Sequence, residues 1–199
     1  MRLAVCVSGR GSNLVALMEA LKGSPGAEIA LVLSDRPEAP ALERARERGV
    51  PAEVLDDPGD PEQWLERLRR HRIDLVVLAG YLRLVPSAVI STYRGRILNI
   101  HPALLPAFGG RGMYGRRVHE AVLASGAALS GATVHLVDEE YDRGPILAQA
   151  RVPVRPGDTP DTLAARVLEA EHRLLPVVIL RAAEAGRPVP LPQPLELFA

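Results

Sequence analysis

The chain has 199 residues, 47% of them hydrophobic, and its 24 basic and 24 acidic side chains cancel to a formal charge of zero. That length suits one domain with a sizeable core, and the neutral balance excludes bulk attraction to nucleic acid or a membrane surface, leaving room for a local basic pocket that takes a small anion. No apolar run approaches the ~20 residues of a membrane span, no charged segment leading into an apolar one marks a signal peptide, and Cys6 is the only cysteine, so a cytoplasmic protein without intrachain disulfides is expected.

Short apolar runs alternate with amphipathic stretches through the first half. Strands are predicted at 3–7, 29–33, 52–55, 75–78 and 97–100, with helical patterns at 13–22, 39–48, 61–70 and 86–93 between them. Cys6 falls inside the first of these strands and reads as a core thiol. Buried strands separated by helices make a parallel sheet, and right-handed crossovers cover both its faces. From Tyr114 the character changes. A helix at 114–124 precedes strands at 132–137 and 146–154, whose link is too short for a helical crossover, so that pair is antiparallel. A long helical pattern at 159–185 has Asp158 as its expected N-cap and Pro160 in its first turn. Pro176 inside it predicts a kink or break. The tail from Arg187 carries Pro188, Pro190, Pro192 and Pro194 and should be extended. The fold class is α/β: a Rossmann-like three-layer sandwich, mostly parallel, with an antiparallel C-terminal strand pair, in one domain spanning 1–199.

Ligands of such sheets bind outside the carboxyl ends of the strands. Three features fall on that rim: Ser8-Gly9-Arg10-Gly11-Ser12-Asn13, Gly80-Tyr81-Leu82-Arg83, and Asn99 with His101. In the first, glycines permit the turn from strand to helix, and the amides of Gly11, Ser12 and Asn13 at a helix start form an anion site. The dinucleotide fingerprint would need a glycine where Leu14 stands, and no P-loop lysine follows, so a phosphate monoester fits better than a pyrophosphate. A plain turn with Ser12 as N-cap is the bland alternative. Asp35, after the second strand, keeps a nicotinamide site open, because an acid there can bind a ribose.

Asn99 and His101 are two residues apart at a strand end, so they share a face. Asp142, in the turn Asp142-Arg143-Gly144-Pro145, could join them, orient the imidazole and raise its affinity for a proton. An amide, an imidazole and a carboxylate together suit proton transfer at a carbon that becomes tetrahedral. The competing reading of Asp-x-Gly-Pro is turn chemistry alone. A metal on His101, His135 and Asp142 has no supporting ligand spacing, so none is expected. The serine of the first loop lacks a nucleophile-elbow context, since Asn13 follows it. His71, His119 and His172 lie in helical patterns and read as structural.

Ser8-Gly9-Arg10-Gly11-Ser12-Asn13-Leu14, Leu78-Ala79-Gly80-Tyr81-Leu82-Arg83, Leu98 to Pro106, Thr133-Val134-His135, Asp142-Arg143-Gly144-Pro145 and Glu171-His172 together resemble the folate-dependent phosphoribosylglycinamide formyltransferases, over nearly the whole length. The resemblance implies the formyltransferase fold and transfer of a formyl group from 10-formyltetrahydrofolate to the amine of glycinamide ribonucleotide, in purine (IMP) synthesis, without metal. It implies Asn99, His101 and Asp142 as the catalytic set, and Gly11, Ser12, Asn13 and Glu171 at the ribonucleotide. It assigns Leu82, Arg83, Leu84 and Val85, with Asp138, Glu139, Glu140 and Tyr141, to the folate, and His135 to a supporting place in the cleft. On this reading the phosphate site lies in the N-terminal half, and the folate site and catalytic residues lie mainly in the C-terminal half. Asn99 and a protonated His101 would stabilise the oxyanion while Asp142 favours the imidazolium.

Two departures from the resemblance stand out. The stretch 56–61 offers no arginine for the folate, and the glycine-rich loop 108–115 reads as a lid over the substrates. The partners implied are small molecules, neither nucleic acid nor membrane, and a homodimer is allowed, since such enzymes occur as monomers or dimers. The rivals are methionyl-tRNA formyltransferase, which normally adds a basic tRNA domain, formyltetrahydrofolate deformylase, which usually adds a regulatory domain, and a nucleotide-binding regulator on the same sheet. Neither added domain is expected here: 199 residues of zero net charge suit no second, basic domain, and the first predicted strand comes directly at the start.

Overall fold

The computed structural model describes residues 1–24 and 26–196. An eight-stranded sheet has the order β3-β2-β1-β4-β5-β6-β7-β8. Its strands are β1 (Arg2–Val7), β2 (Glu28–Ser34), β3 (Ala52–Val54), β4 (Leu75–Leu78), β5 (Ile97–His101), β6 (Leu129–Leu136), β7 (Ile146–Pro153) and β8 (Leu195–Glu196). The first five are mutually parallel. β6 pairs antiparallel with both β5 and β7, and β8 lies parallel on β7. One strand, β6, therefore runs against all the others. Pairing of β5 with β6, and the strand within the proline-rich tail, were not part of the sequence reading; the tail's extended character was.

The helices are α1 (Ser12–Leu21), α2 (Pro40–Arg46), α3 (Pro61–Arg70), α4 (Ser87–Thr92), α5 (Arg116–Ala124) and α6 (Pro160–Ala185). Strand period 2 sorts the core. Leu3, Val5 and Val7 of β1 face a large cluster with residues of α1, α2, α5 and α6, whereas Ala4 and Cys6 face a smaller cluster built with Trp64, Leu65 and Leu68 of α3 and with α4. Burial as apolar as this holds the Cys6 thiol protonated, far above its ordinary range.

Two local expectations change. The N-cap of α6 is Thr159, in a capping box with Thr162, and not Asp158. Asp158 instead accepts from Nη1 and Nη2 of Arg166 at 2.8 Å each and from the Arg155 amide at 2.7 Å, which clamps the approach to the helix. Pro176 does not break α6, which runs on to Ala185 with Leu174, Leu175, Val178 and Ile179 buried around it. Tertiary burial of that face outweighs the one ladder hydrogen bond a proline removes.

The strand order reverses between β1 and β4, which opens a crevice at their carboxyl ends. The loops after β1, β4 and β5 all meet there. Among the described residues, no helix is long and apolar enough to cross a membrane.

Candidate active site

A cleft of about 410 Å³ opens at this crevice. Its wall includes Asn13 and Glu171 at one corner, the stretch from Leu82 to Val85 along one side, Asp138, Glu140 and Tyr141 on another, and Asn99, His101, His135 and Asp142 in its depth. Gly11, Ser12 and Glu139 do not line it.

At the first corner, α1 starts directly from Gly11, which has φ +71 and is itself the N-cap. Ser12 is therefore the first helical residue, and no side chain caps the helix, so its first amides are left free to meet an anion. Gly11 is required twice over, since a Cβ there would also overlap Ala41. Asn13 Nδ2 donates to Glu171 Oε2 at 2.6 Å, while Asn13 Oδ1 is buried without a partner. Burial pushes the Glu171 carboxyl up to about 7, against the smaller opposing effect of the Asn13 hydrogen bond. This corner holds an acceptor that lacks a donor and a carboxyl poised to ionise.

The second corner is built by β5, β6 and the turn between β6 and β7. Ile97 of β5 packs in the smaller core cluster, and Asn99 and His101 share its face. Antiparallel register sets His135 of β6 directly opposite Asn99. His135 Nδ1 donates to the Leu136 carbonyl at 2.8 Å, so in the neutral ring Nε2 accepts from Asn99 Nδ2 at 3.0 Å. Thr133, two residues earlier on β6, accepts the Leu105 amide at 3.1 Å and donates to the Ala103 carbonyl at 2.6 Å, which fixes the chain just beyond His101.

Asp142 reaches this corner from a turn in which it adopts φ +57. Gly144 must be glycine there, because a Cβ would collide with the Leu136 carbonyl. Asp142 Oδ2 accepts the Gly110 amide at 2.9 Å and lies 3.6 Å from His101 Nδ1. Its Oδ1 lies 3.5 Å from His135 Nε2 and 3.4 Å from Asn99 Nδ2. Burial pushes the Asp142 carboxyl up, but the His135 contact, the pull of His101 whenever that ring carries a proton, and the Gly110 amide together hold it below its ordinary value.

His101 departs from expectation in one respect. Its Nε2 donates to the Phe108 carbonyl at 2.8 Å, leaving Nδ1 toward Asp142. Burial lowers its affinity for a proton, and this outweighs the raising effects of Asp142 and of the Phe108 carbonyl. Burial thus favours the neutral ring, with a lone pair on Nδ1, over a standing imidazolium. The desolvation of a strand end closed over by loops is larger than one carboxylate at 3.6 Å can offset.

The glycine-rich loop takes part directly: Phe108 accepts from His101 and Gly110 donates to Asp142. These backbone contacts carry no side-chain signal that sequence reasoning could find. Asp35 does not face the cleft as a ribose-binding acid would. Its side chain is 2% exposed and takes the Ser8 hydroxyl at 2.6 Å. No group of three or more His, Cys, Asp or Glu side chains with metal-binding geometry occurs among the described residues.

Residues 1–179 match the formyl transferase family model. A chloroplastic phosphoribosylglycinamide formyltransferase of Arabidopsis thaliana is 47% identical over 186 residues, 89% of this chain and 64% of that protein. The chain thus spans less than two thirds of that plant relative, and 59% of another from Vigna unguiculata. The phosphoribosylglycinamide formyltransferase of Escherichia coli K12 is 39% identical, with 90% of this chain and 85% of that protein covered. The crystal structure of glycinamide ribonucleotide transformylase 1 from Symbiobacterium toebii superposes with a TM-score of 0.87 at 40% identity, over 100% of this chain and 94% of that one.

Proposed function

The chain belongs to the formyl transferase family, and from that premise we propose that it moves the formyl group of 10-formyltetrahydrofolate to the amine of phosphoribosylglycinamide, as a step of purine synthesis in the cytoplasm. The observation that carries this reading is the convergence of Asn99, His101 and His135 on Asp142 in one cleft whose other corner holds Asn13 and Glu171. One end stabilises a charge that comes and goes; the other offers acceptors and an anion site to a phosphorylated sugar.

The chemistry follows from the protonation states. The neutral amine attacks the formyl carbon, and the carbonyl electron pair moves to oxygen. The nitrogen, now cationic, gives its proton to Nδ1 of His101, whose other nitrogen is already committed to Phe108. The imidazolium so formed is stabilised by the ionised Asp142. Asn99 donates to the oxyanion by exchanging its long 3.4 Å contact with Asp142 for a shorter bond. Collapse restores the carbonyl and breaks the bond to the folate nitrogen, which takes the proton back from His101. His135 keeps the Asn99 amide turned the right way.

In this proposal the phosphate lies on the amides of Gly11, Ser12 and Asn13, and Glu171 with Asn13 takes donors of the ribonucleotide. Leu82, Arg83, Leu84 and Val85 border the folate on one side; Asp138, Glu139, Glu140 and Tyr141 border it on the other. One domain carries both sites. The test is purified protein mixed with 10-formyl-dideazafolate and the ribonucleotide, with release of deformylated folate followed by absorbance. Release that requires the ribonucleotide supports the transferase; release without it makes the protein a deformylase; no release removes the reading.

A further inference from the structure

Asp35 is a buried carboxylate that the proposed chemistry leaves unused. It stands at the end of β2, beside the crevice, with a side chain 2% exposed. Its Oδ2 faces Arg83 Nε at 3.4 Å, a long contact with a guanidinium that is itself 65% exposed. Its close partner is Ser8, which is 3% exposed and donates to Oδ1 at 2.6 Å. Ser8 in turn accepts the Leu82 amide at 3.0 Å, and its own amide donates to the Gly80 carbonyl at 3.0 Å.

The direction of this chain is forced. A carboxylate can only accept and a backbone amide can only donate, so the single hydroxyl proton of Ser8 must go to Asp35 and its lone pair to Leu82. Ser8 therefore clasps residues 80 and 82 on either side of Tyr81, a ring that packs edge-on to Trp64 at 5.5 Å. The clasp also stands directly before Gly9, where the anion loop begins. A charged, desolvated acceptor strengthens the hydrogen bond it receives, and the hydroxyl it polarises becomes a better acceptor in its turn.

We propose that Asp35 is a positioning residue for the folate co-substrate: through Ser8 it fixes the backbone of the segment from Leu82 to Val85 against which the folate lies. This rests on the formyl-folate reading above. Asp35 touches no substrate, and its effect is on folate affinity, not on the chemical step.

The experiment measures binding of 10-formyl-dideazafolate by calorimetry, together with steady-state constants and melting temperatures, for the parent, Ser8→Ala, Asp35→Ala and Asp35→Asn. Both alanine variants are expected to weaken the folate analogue about tenfold, the loss of one charge-assisted link. The turnover number and the Michaelis constant for the ribonucleotide should move less than about threefold. Asp35→Asn keeps an acceptor for the Ser8 hydroxyl and should restore most of the affinity. Parent-like folate affinity in both alanine variants overturns the proposal. So does a loss that spreads equally over both substrates and turnover, follows the melting temperature, and is not rescued by asparagine. A parent that neither binds the analogue nor transfers formyl removes the functional reading itself, and the proposal with it.

Discussion

Two buried carboxyls stand at opposite corners of one cleft, and the fold treats them in opposite ways. Asp142 is held below its ordinary range, while Glu171 is pushed up to about 7. Burial raises both. The difference lies in the surroundings: Asp142 takes the Gly110 and Asn99 amides and lies against two imidazoles that attract it when protonated, whereas Glu171 has Asn13. Desolvation alone does not set the charge of an acid; the count of donors turned toward it does. One corner thereby favours the carboxylate, and the other leaves its carboxyl short of donors.

The largest effect on this comparison comes from removing the acid that is richer in amide donors. Asp142→Ala leaves His101, His135 and Gly110 facing a void and should lower turnover about 10³-fold, with an unchanged far-ultraviolet spectrum. Near-parent steady-state rates would end its assigned role. Asn99→Ala and His101→Ala should each cost about 10²–10³ in turnover by the same assay. Deleting Gly110 to Gly112 is expected to raise both Michaelis constants and to lower turnover as well, because the Gly110 amide on Asp142 goes with it. Unchanged constants would make the loop a passive connector.

The other corner gives smaller effects. Glu171→Gln should raise the Michaelis constant for the ribonucleotide about tenfold, the scale of one hydrogen bond to a charged group. Its stability signature has a definite sign. The folded-state value near 7 lies above the ordinary 4.5, so the parent's advantage from a protonated Glu171 is present below pH 4.5 and lost as pH rises through about 7. Melting curves of parent and Glu171→Gln should converge in acid and separate above neutrality, with glutamine the more stable. Curves that stay parallel at every pH would show that the acid is not perturbed. The smallest expected effect is in the pH profile. Because burial depresses His101, kcat of the Glu171→Gln variant at saturating substrate, which removes the Glu171 ionisation from the profile, should hold level through neutral pH and fall only below 6.5. An acid limb centred above 6.5 would restore the standing imidazolium.

Legibility differs between the two corners for a physical reason. The anion loop is local: strand, glycine turn and helix start are neighbours in sequence, so Gly11, Ser12 and Asn13 could be read directly. Asn99 and His101 were legible as a pair because a strand's period puts them on one face. The pairing of His135 was not legible, since nothing in its own neighbourhood says that β6 lies antiparallel on β5 with His135 opposite Asn99. The contacts of Phe108 and Gly110 were invisible, because backbone groups look the same in every residue. Asp158 and Pro176 misled for the converse reason, since local rules for caps and breakers yielded to an ion pair and to a buried helix face.

Hydrophobic periodicity, turn chemistry and short-range spacing were enough to determine the layered α/β plan, the mostly parallel sheet, the rim at which the cleft opens and the residue types gathered there. Only the tertiary structure decided the antiparallel seam beside β5, the resting charge of His101 and the contrast between Asp142 and Glu171. Those depend on how much water is excluded and on which distant donors arrive, quantities that belong to the packed molecule and to no single segment of the chain.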